Sequence, residues 1–359
     1  MAEYIIDSMT VKRIEVLDPR GNADEALLPP FPDEEIRRIY ELLVLARAFD
    51  ERALTLQREG RIGTYPSILG QEAAQVGSAL AIGKEDRVFP SFREMGAQIA
   101  LGYPIPLLFR YWAGDERGMR SPDDLDVFPI CVSVGTHLPH AAGAALAAQL
   151  RGDRCAVVAY FGDGATSKGD FHEAFNMAGV FGLPVVFICQ NNQWAISVPV
   201  ERQTAAKTLA RKAWAYGFEG VQVDGNDVFA VCRATGAALE KARGGGGPTF
   251  IECLTYRLAD HTTADDASRY RPDAEVEEWR NRDPLLRLRL FMERKGLWSD
   301  ADENEAWERA RGTIDEAVRE AESAPPPEPG EMFDFACANL SPRQQRQREE
   351  LEVRQVRQV

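Results

Sequence analysis

Basic residues are the scarcer charge in this chain. Its 359 residues carry 42 Lys and Arg against 56 Asp and Glu, a net charge of −14. A surface of that sign repels polyanions and argues against nucleic acid or an anionic membrane as a partner. Cysteine is sparse. Cys131, Cys155, Cys189, Cys232, Cys253 and Cys337 form no Cys-x-x-Cys pair, so neither a zinc knuckle nor a dithiol redox site is indicated. Cys155, Cys189 and Cys253 sit in apolar runs and read as buried free thiols in a reducing compartment. No apolar run is long enough to span a bilayer. Met1–Tyr4 does not begin a basic-then-apolar leader, and the expected location is cytoplasmic. Two familiar phosphate-binding fingerprints are also missing. Gly77 to Gly83-Lys84 has one spacer residue too many for a P-loop, and Glu85 stands where Ser or Thr belongs. Gly162 and Gly164 are followed by Ser167 where the Rossmann pattern needs its third glycine.

What is present is a soluble, core-forming composition, 45% hydrophobic and 27% charged. Residues 1–32 show no clear period, end in Pro29, Pro30 and Pro32, and read as an extended arm. Asp33 is expected to cap a helix, with Glu34 and Glu35 favoured at the positive end of its dipole. Ile36, Ile39, Tyr40, Leu43 and Ala46 then recur at helical spacing, and Gly60 ends the run. The interleaved Ala and Gly of 141–150 predict a closely packed helix.

From Cys155 the chain alternates between strand and helix. Cys155–Phe161 and Val185–Cys189 read as buried strands, with helical character over Phe171–Phe181 between them. Val221–Val223 and Thr249–Tyr256 are further strands, the second after the turn Gly244–Gly247. This rhythm predicts an α/β fold, a parallel sheet with helices on both faces. The domain is expected to run over 33–324, becoming charged and helical past residue 275. Segment 325–359 is a proline-rich stretch followed by a charged tail, read as a solvated helix.

One constellation carries chemistry. Strand Cys155–Phe161 runs into Gly162-Asp163-Gly164-Ala165, and the next strand ends at Gln190-Asn191-Asn192. Adjacent parallel strands end on the same sheet edge, where open α/β sheets bind ligands. Asp163 and Asn192 should therefore meet, offering a carboxylate and an amide oxygen. Magnesium favours such hard oxygens, with phosphate and water completing its shell. The glycines let backbone amides approach a diphosphate near a helix start. A lone Gly-Asp-Gly is an ordinary strand-ending turn; paired with Asn-Asn it is specific.

That pairing resembles the thiamine diphosphate motif. Gly169-Asp170-Phe171-His172-Glu173-Ala174-Phe175-Asn176 and Asn191-Asn192-Gln193-Trp194-Ala195-Ile196-Ser197 are similar to alpha subunits of 2-oxo acid dehydrogenases. So are Gly70-Gln71-Glu72-Ala73, Phe92-Arg93, Val223-Asp224-Gly225-Asn226-Asp227 and Thr255-Tyr256-Arg257. The likeness runs from about residue 33 to the end. It implies the diphosphate-binding type of the thiamine-diphosphate-binding fold, and a magnesium ion held by Asp163, Asn192 and the Trp194 carbonyl. By the same resemblance, Gly164 and Ala165 present amides to the diphosphate. Phe92, Arg93 and Arg257 belong to its phosphate side. Val132 and Val134 touch the aminopyrimidine ring, and His261 is the active-site histidine. Considered alone, an arginine such as Arg93 reads as a surface ion pair, and Val132 and Val134 as core-facing strand residues. His172, His137 and His140 read as structural.

Some residues depart from the family. Phe92 stands where many members have Tyr, Asp260 where Gly or His is commoner, and Thr262 where animal relatives have a phosphorylated Ser. Pro66 occupies a substrate-side position that is His in animal pyruvate enzymes. The resemblance implies oxidative decarboxylation of a small 2-oxo acid. A beta subunit would complete the site in a two-alpha, two-beta assembly, and a lipoyl-bearing acyltransferase core would take the acyl group. Gln190 and the run 204–213 look like bacterial pyruvate enzymes, whereas 265–271 is equally at home in branched-chain ones; pyruvate is the first expectation, a branched-chain 2-oxo acid the second and acetoin a distant third. A non-catalytic scaffold predicts damaged ligands, but Asp163, Asn192, Arg93 and His261 are all present.

Overall fold

The computed structural model describes residues 3–4, 6, 8–334 and 337–356. Residues 1, 2, 5 and 7 of the arm, and 335, 336 and 357–359 of the C-terminal segment, lie outside the described residues. Six parallel strands form the sheet: β1 (Arg13–Ile14), β2 (Arg87–Phe89), β3 (Val157–Gly162), β4 (Val185–Asn191), β7 (Glu219–Asp224) and β8 (Thr249–Leu254). Their spatial order is β1-β7-β8-β4-β3-β2. A separate antiparallel hairpin joins β5 (Trp194–Ala195) to β6 (Val198–Pro199).

Central strands covered on both faces should be apolar throughout. All seven residues of β4 are buried. Side chains alternate faces along a strand, and here they feed two cores. Val158, Tyr160, Val186 and Ile188 join one cluster with the helices Asp33–Arg58, Glu72–Ala79 and Val228–Arg243. Val157, Ala159, Phe161, Val185 and Phe187 join the other, under the helices His137–Arg151 and Gly169–Phe181. Phe161, Phe171, Phe175, Phe187 and Phe250 stack within that second face.

Asp33 is the first residue of its helix and Pro32 the cap, with no side-chain cap bond. The proline supplies the extended φ that a cap residue needs, leaving Asp33 to act on the helix dipole alone. The helix ends at Arg58, and Gly60 takes a φ of +73°. The N-terminal arm joins the sheet at β1 against β7. Val16 and Leu17 are buried, and their backbone amides both donate to Asp227 Oδ2 at 2.6 Å. The same carboxylate caps the helix Val228–Arg243 through Phe229 and Ala230. Cys155, Cys189 and Cys253 are buried free thiols. No helix among the described residues is long and apolar enough to cross a membrane.

Candidate active site

β3 and β4 pair in register, with Gly162 opposite Gln190. The turn opening at Asp163 and the residues after Asn191 therefore leave the same edge of the sheet. A cavity of about 490 Å³ opens there, walled by Gly162, Gly164, Ala165, Gln190 and Asn192 from the strand ends. Phe92 and Arg93 after β2, Val132 and Val134, Trp194–Ile196, and His261 close it from other parts of the chain. Thr64, Pro66 and Trp112 line it as well.

Asp163 is 1% exposed, and burial pushes its carboxyl up to about 6. Its Oδ2 accepts from Gln203 Nε2 at 2.7 Å. Asn192 donates to Gln71 Oε1 at 3.0 Å, and its amide oxygen accepts from the Trp194 amide. Gly164 has no room for a side chain: a Cβ there would stand 2.9 Å from that of Ala195. The intervening turn is strained. Gln193 and Ile196 are the two non-glycine residues with positive φ among the described residues, at 72° and 54°. For β-branched Ile196 that conformation is costly and is retained where the surroundings enforce it.

Arg93 is 4% exposed, so it makes no surface ion pair. One guanidinium nitrogen donates to the Ser67 carbonyl at 2.6 Å, the other to the His261 carbonyl at 2.9 Å and toward His261 Nδ1 at 3.2 Å. Its charge also lies 5.3 Å from the Phe92 ring centroid. Burial and then neighbouring Arg257 push its pKa down to about 10. Arg257 is fully buried behind the cavity wall. It donates to the Ile196 carbonyl and to Tyr270 Oη, each at 2.9 Å, and reaches the Trp194 carbonyl and His261 Nδ1 at 3.3 Å. His261 Nδ1 thus faces donors from two guanidiniums and must be the unprotonated nitrogen. Burial, then Arg93 and Arg257, push the imidazole down to about 4.

Val132 and Val134 line the cavity 59% and 42% exposed, in no regular element. They are not core-facing strand residues, because the segment forms no strand and both residues line the cavity. His137 is buried with Nε2 on the Tyr160 carbonyl, while His172 is exposed beside Tyr216. Sequence reasoning missed Glu94, which is 2% exposed and lines the cavity. Its carboxylate accepts from Ser91 Oγ and Gln190 Nε2, and burial raises its pKa. Its position directly after Phe92-Arg93 was the available signal. Gln71, Gln203, Trp112 and Lys168 had none.

The charge pattern fits a metal diphosphate. Among the described residues, the guanidiniums of Arg93 and Arg257 bond carbonyls, an imidazole nitrogen and a phenol but no carboxylate. Buried cations left in that state favour an anion. The buried Asp163 carboxyl favours a cation, and Asn192 and the Trp194 carbonyl, on the segment that leaves the same sheet edge, offer neutral oxygens of the kind magnesium accepts.

The model of the dehydrogenase E1 component family matches residues 40–330. The chain belongs to that family. The alpha subunit of 3-methyl-2-oxobutanoate dehydrogenase from Mycobacterium tuberculosis is 42% identical over 352 residues, 98% of this chain and 96% of that one. The alpha subunit of the pyruvate dehydrogenase E1 component from Staphylococcus aureus is 42% identical over 312 residues, 86% and 84% of the two chains. This E1 chain is accordingly an alpha subunit of a thiamine-diphosphate-dependent 2-oxo acid dehydrogenase, an oxidoreductase. The parallel sheet and its helical C-terminal region fit that family.

Proposed function

We propose that this chain is the alpha half of a pyruvate dehydrogenase E1, holding thiamine diphosphate through magnesium and working in the cytoplasm with a beta partner. The observation that supports the cofactor reading is the β3–β4 register: Gly162, Gly164 and Asn192 line a cavity that Arg93 and His261 also line, with Asp163 buried in the turn between the two glycines. Asp163, Asn192 and the Trp194 carbonyl hold the metal. The Gly164 and Ala165 amides and Arg93 hold the diphosphate, and Arg257 backs that side through His261 and the Trp194 turn. Val132 and Val134 pack on the ring. The bound cofactor supplies a nucleophilic carbon for the 2-oxo group and an electron sink for decarboxylation.

Chain residues do the rest. Arg93, gripping two carbonyls, keeps its fork fixed toward an anion. Neutral His261, with its proton on Nε2, donates toward the reacting centre and assists acyl transfer to a lipoyl carrier. Pro66, Trp112 and Phe92 narrow the apolar approach and exclude water. Among its described residues this chain has one large sheet; the carboxylate that by family resemblance activates the cofactor ring is assigned to the beta subunit, in a two-alpha, two-beta assembly. The test is decarboxylation coupled to dye reduction, by the chain alone and with its beta partner. Turnover is expected from the pair; comparable turnover by the isolated chain refutes the assembly.

Gln190, beneath the cavity, and the run 204–213 support pyruvate. The near full-length match to the M. tuberculosis relative supports a branched-chain 2-oxo acid instead. One methylene changes selectivity by only about 1–3 kcal/mol, so the ratio of kcat/KM on pyruvate and 3-methyl-2-oxobutanoate discriminates. A ratio below one replaces the first reading with the second.

A further inference from the structure

The segment between Asn192 and Gln203 leaves the sheet edge at one proposed metal ligand and returns at the other. It departs through the strained turn at Gln193–Ile196, folds back as the β5–β6 hairpin, and ends in the short helix Val200–Gln203. Val200 N donates to the Gln193 carbonyl at 3.0 Å, which closes the excursion on itself. Gln203 then donates one amide group both to Asp163 Oδ2 at 2.7 Å and to the Val198 carbonyl at 3.2 Å. Its own Oε1 is buried without a hydrogen-bond partner among the described residues. The hairpin touches the same turn a second time, where Ala195 packs against Gly164.

A carboxylate that ligates magnesium commonly uses one oxygen, and the second needs a donor to fix the plane of the group. Gln203 occupies Oδ2, and no side chain among the described residues bonds Oδ1. We propose that Gln203 is a positioning residue for the metal ligand, presenting Oδ1 of Asp163 to the cation. It also ties the Trp194 carbonyl, carried on the same excursion, to the opposite ligand. Metal affinity and the order of residues 193–203 are therefore linked. This inference rests on Asp163 being a magnesium ligand.

The experiment uses the chain assembled with its beta subunit. Thiamine diphosphate binding is followed by calorimetry across a magnesium series, and Mn²⁺ binding by electron paramagnetic resonance. The variants are Gln203→Ala and the near-isosteric Gln203→Glu, which lacks the N–H. Both should raise the magnesium concentration for half-maximal cofactor binding about 10- to 100-fold. Saturating magnesium should restore wild-type cofactor affinity. Hydrogen exchange over 193–203 should quicken in the metal-free state while global unfolding stays put. An unchanged magnesium requirement in either variant overturns the proposal, as does a loss of cofactor affinity that magnesium does not rescue. If wild type shows no magnesium-dependent cofactor binding, the functional reading itself fails.

Discussion

Asp163→Asn should make the cofactor-free protein more stable while abolishing magnesium-dependent cofactor binding. The carboxyl is 1% exposed, and burial raises it from 3.8 to about 6. Each unit corresponds to about 1.4 kcal/mol, so the ionised group opposes folding by about 3 kcal/mol at neutral pH. A folded pKa above the unfolded value means the penalty is full above pH 6. It fades as pH falls, because the folded state takes up its proton first, and is gone below 3.8. Asn removes the charge and keeps an oxygen to accept from Gln203, with about 1 kcal/mol lost if that bond weakens. The net gain is about 2 kcal/mol, a few degrees in unfolding midpoint. Thermal unfolding in EDTA at pH 8 and pH 4, for wild type and variant, measures it, and calorimetry reads the loss of magnesium-dependent binding. A variant less stable than wild type at pH 8, or a difference that does not shrink toward pH 4, refutes the reasoning. Perturbed carboxyls at functional sites follow this logic: the fold tolerates the cost because the ligand removes it.

Arg93→Lys keeps the charge but reaches only one of the Ser67 and His261 carbonyls, so calorimetry should show cofactor affinity falling about 10-fold or more. His261 should titrate with a midpoint near 4 by NMR of the labelled, cofactor-free protein, and the midpoint should rise when an anion binds between Arg93 and Arg257; a normal midpoint near 6.5 refutes both the burial of the ring and the guanidinium contacts. Asp227→Ala strips the cap from the helix Val228–Arg243 and the acceptor from Val16 and Leu17, and denaturant unfolding should show a loss of about 2–4 kcal/mol. Limited proteolysis of that variant should cut the arm first.

The four central strands were legible because they are apolar runs separated by glycine turns and helical stretches, and periodicity is a local property; β1 and β2, two and three residues long and each beginning with Arg, are too short to show a period and were missed. The proposed metal-diphosphate site draws on a related property. Gly162-Asp163-Gly164 and Asn191-Asn192 end consecutive parallel strands, so topology alone brings them to one edge. The helix cap was misplaced by one residue because Pro32 and Asp33 are both good starters, and only backbone geometry separates them. Val132 and Val134 looked like core because hydrophobicity does not reveal which side of a loop faces a cavity.

The central strands and the class of chemistry thus follow from short patterns along the chain, whereas the strand order does not. Tertiary structure decided the long-range partners. Arg93 meets His261, Gln203 meets Asp163, and Arg257 holds the Trp194–Ile196 turn from behind the wall. Those pairs join residues far apart in the sequence, through side chains that propensity and spacing do not constrain. Their electrostatics, an imidazole held neutral by burial and then by two guanidiniums, and a buried carboxyl raised to about 6, exist only once the fold removes them together from water.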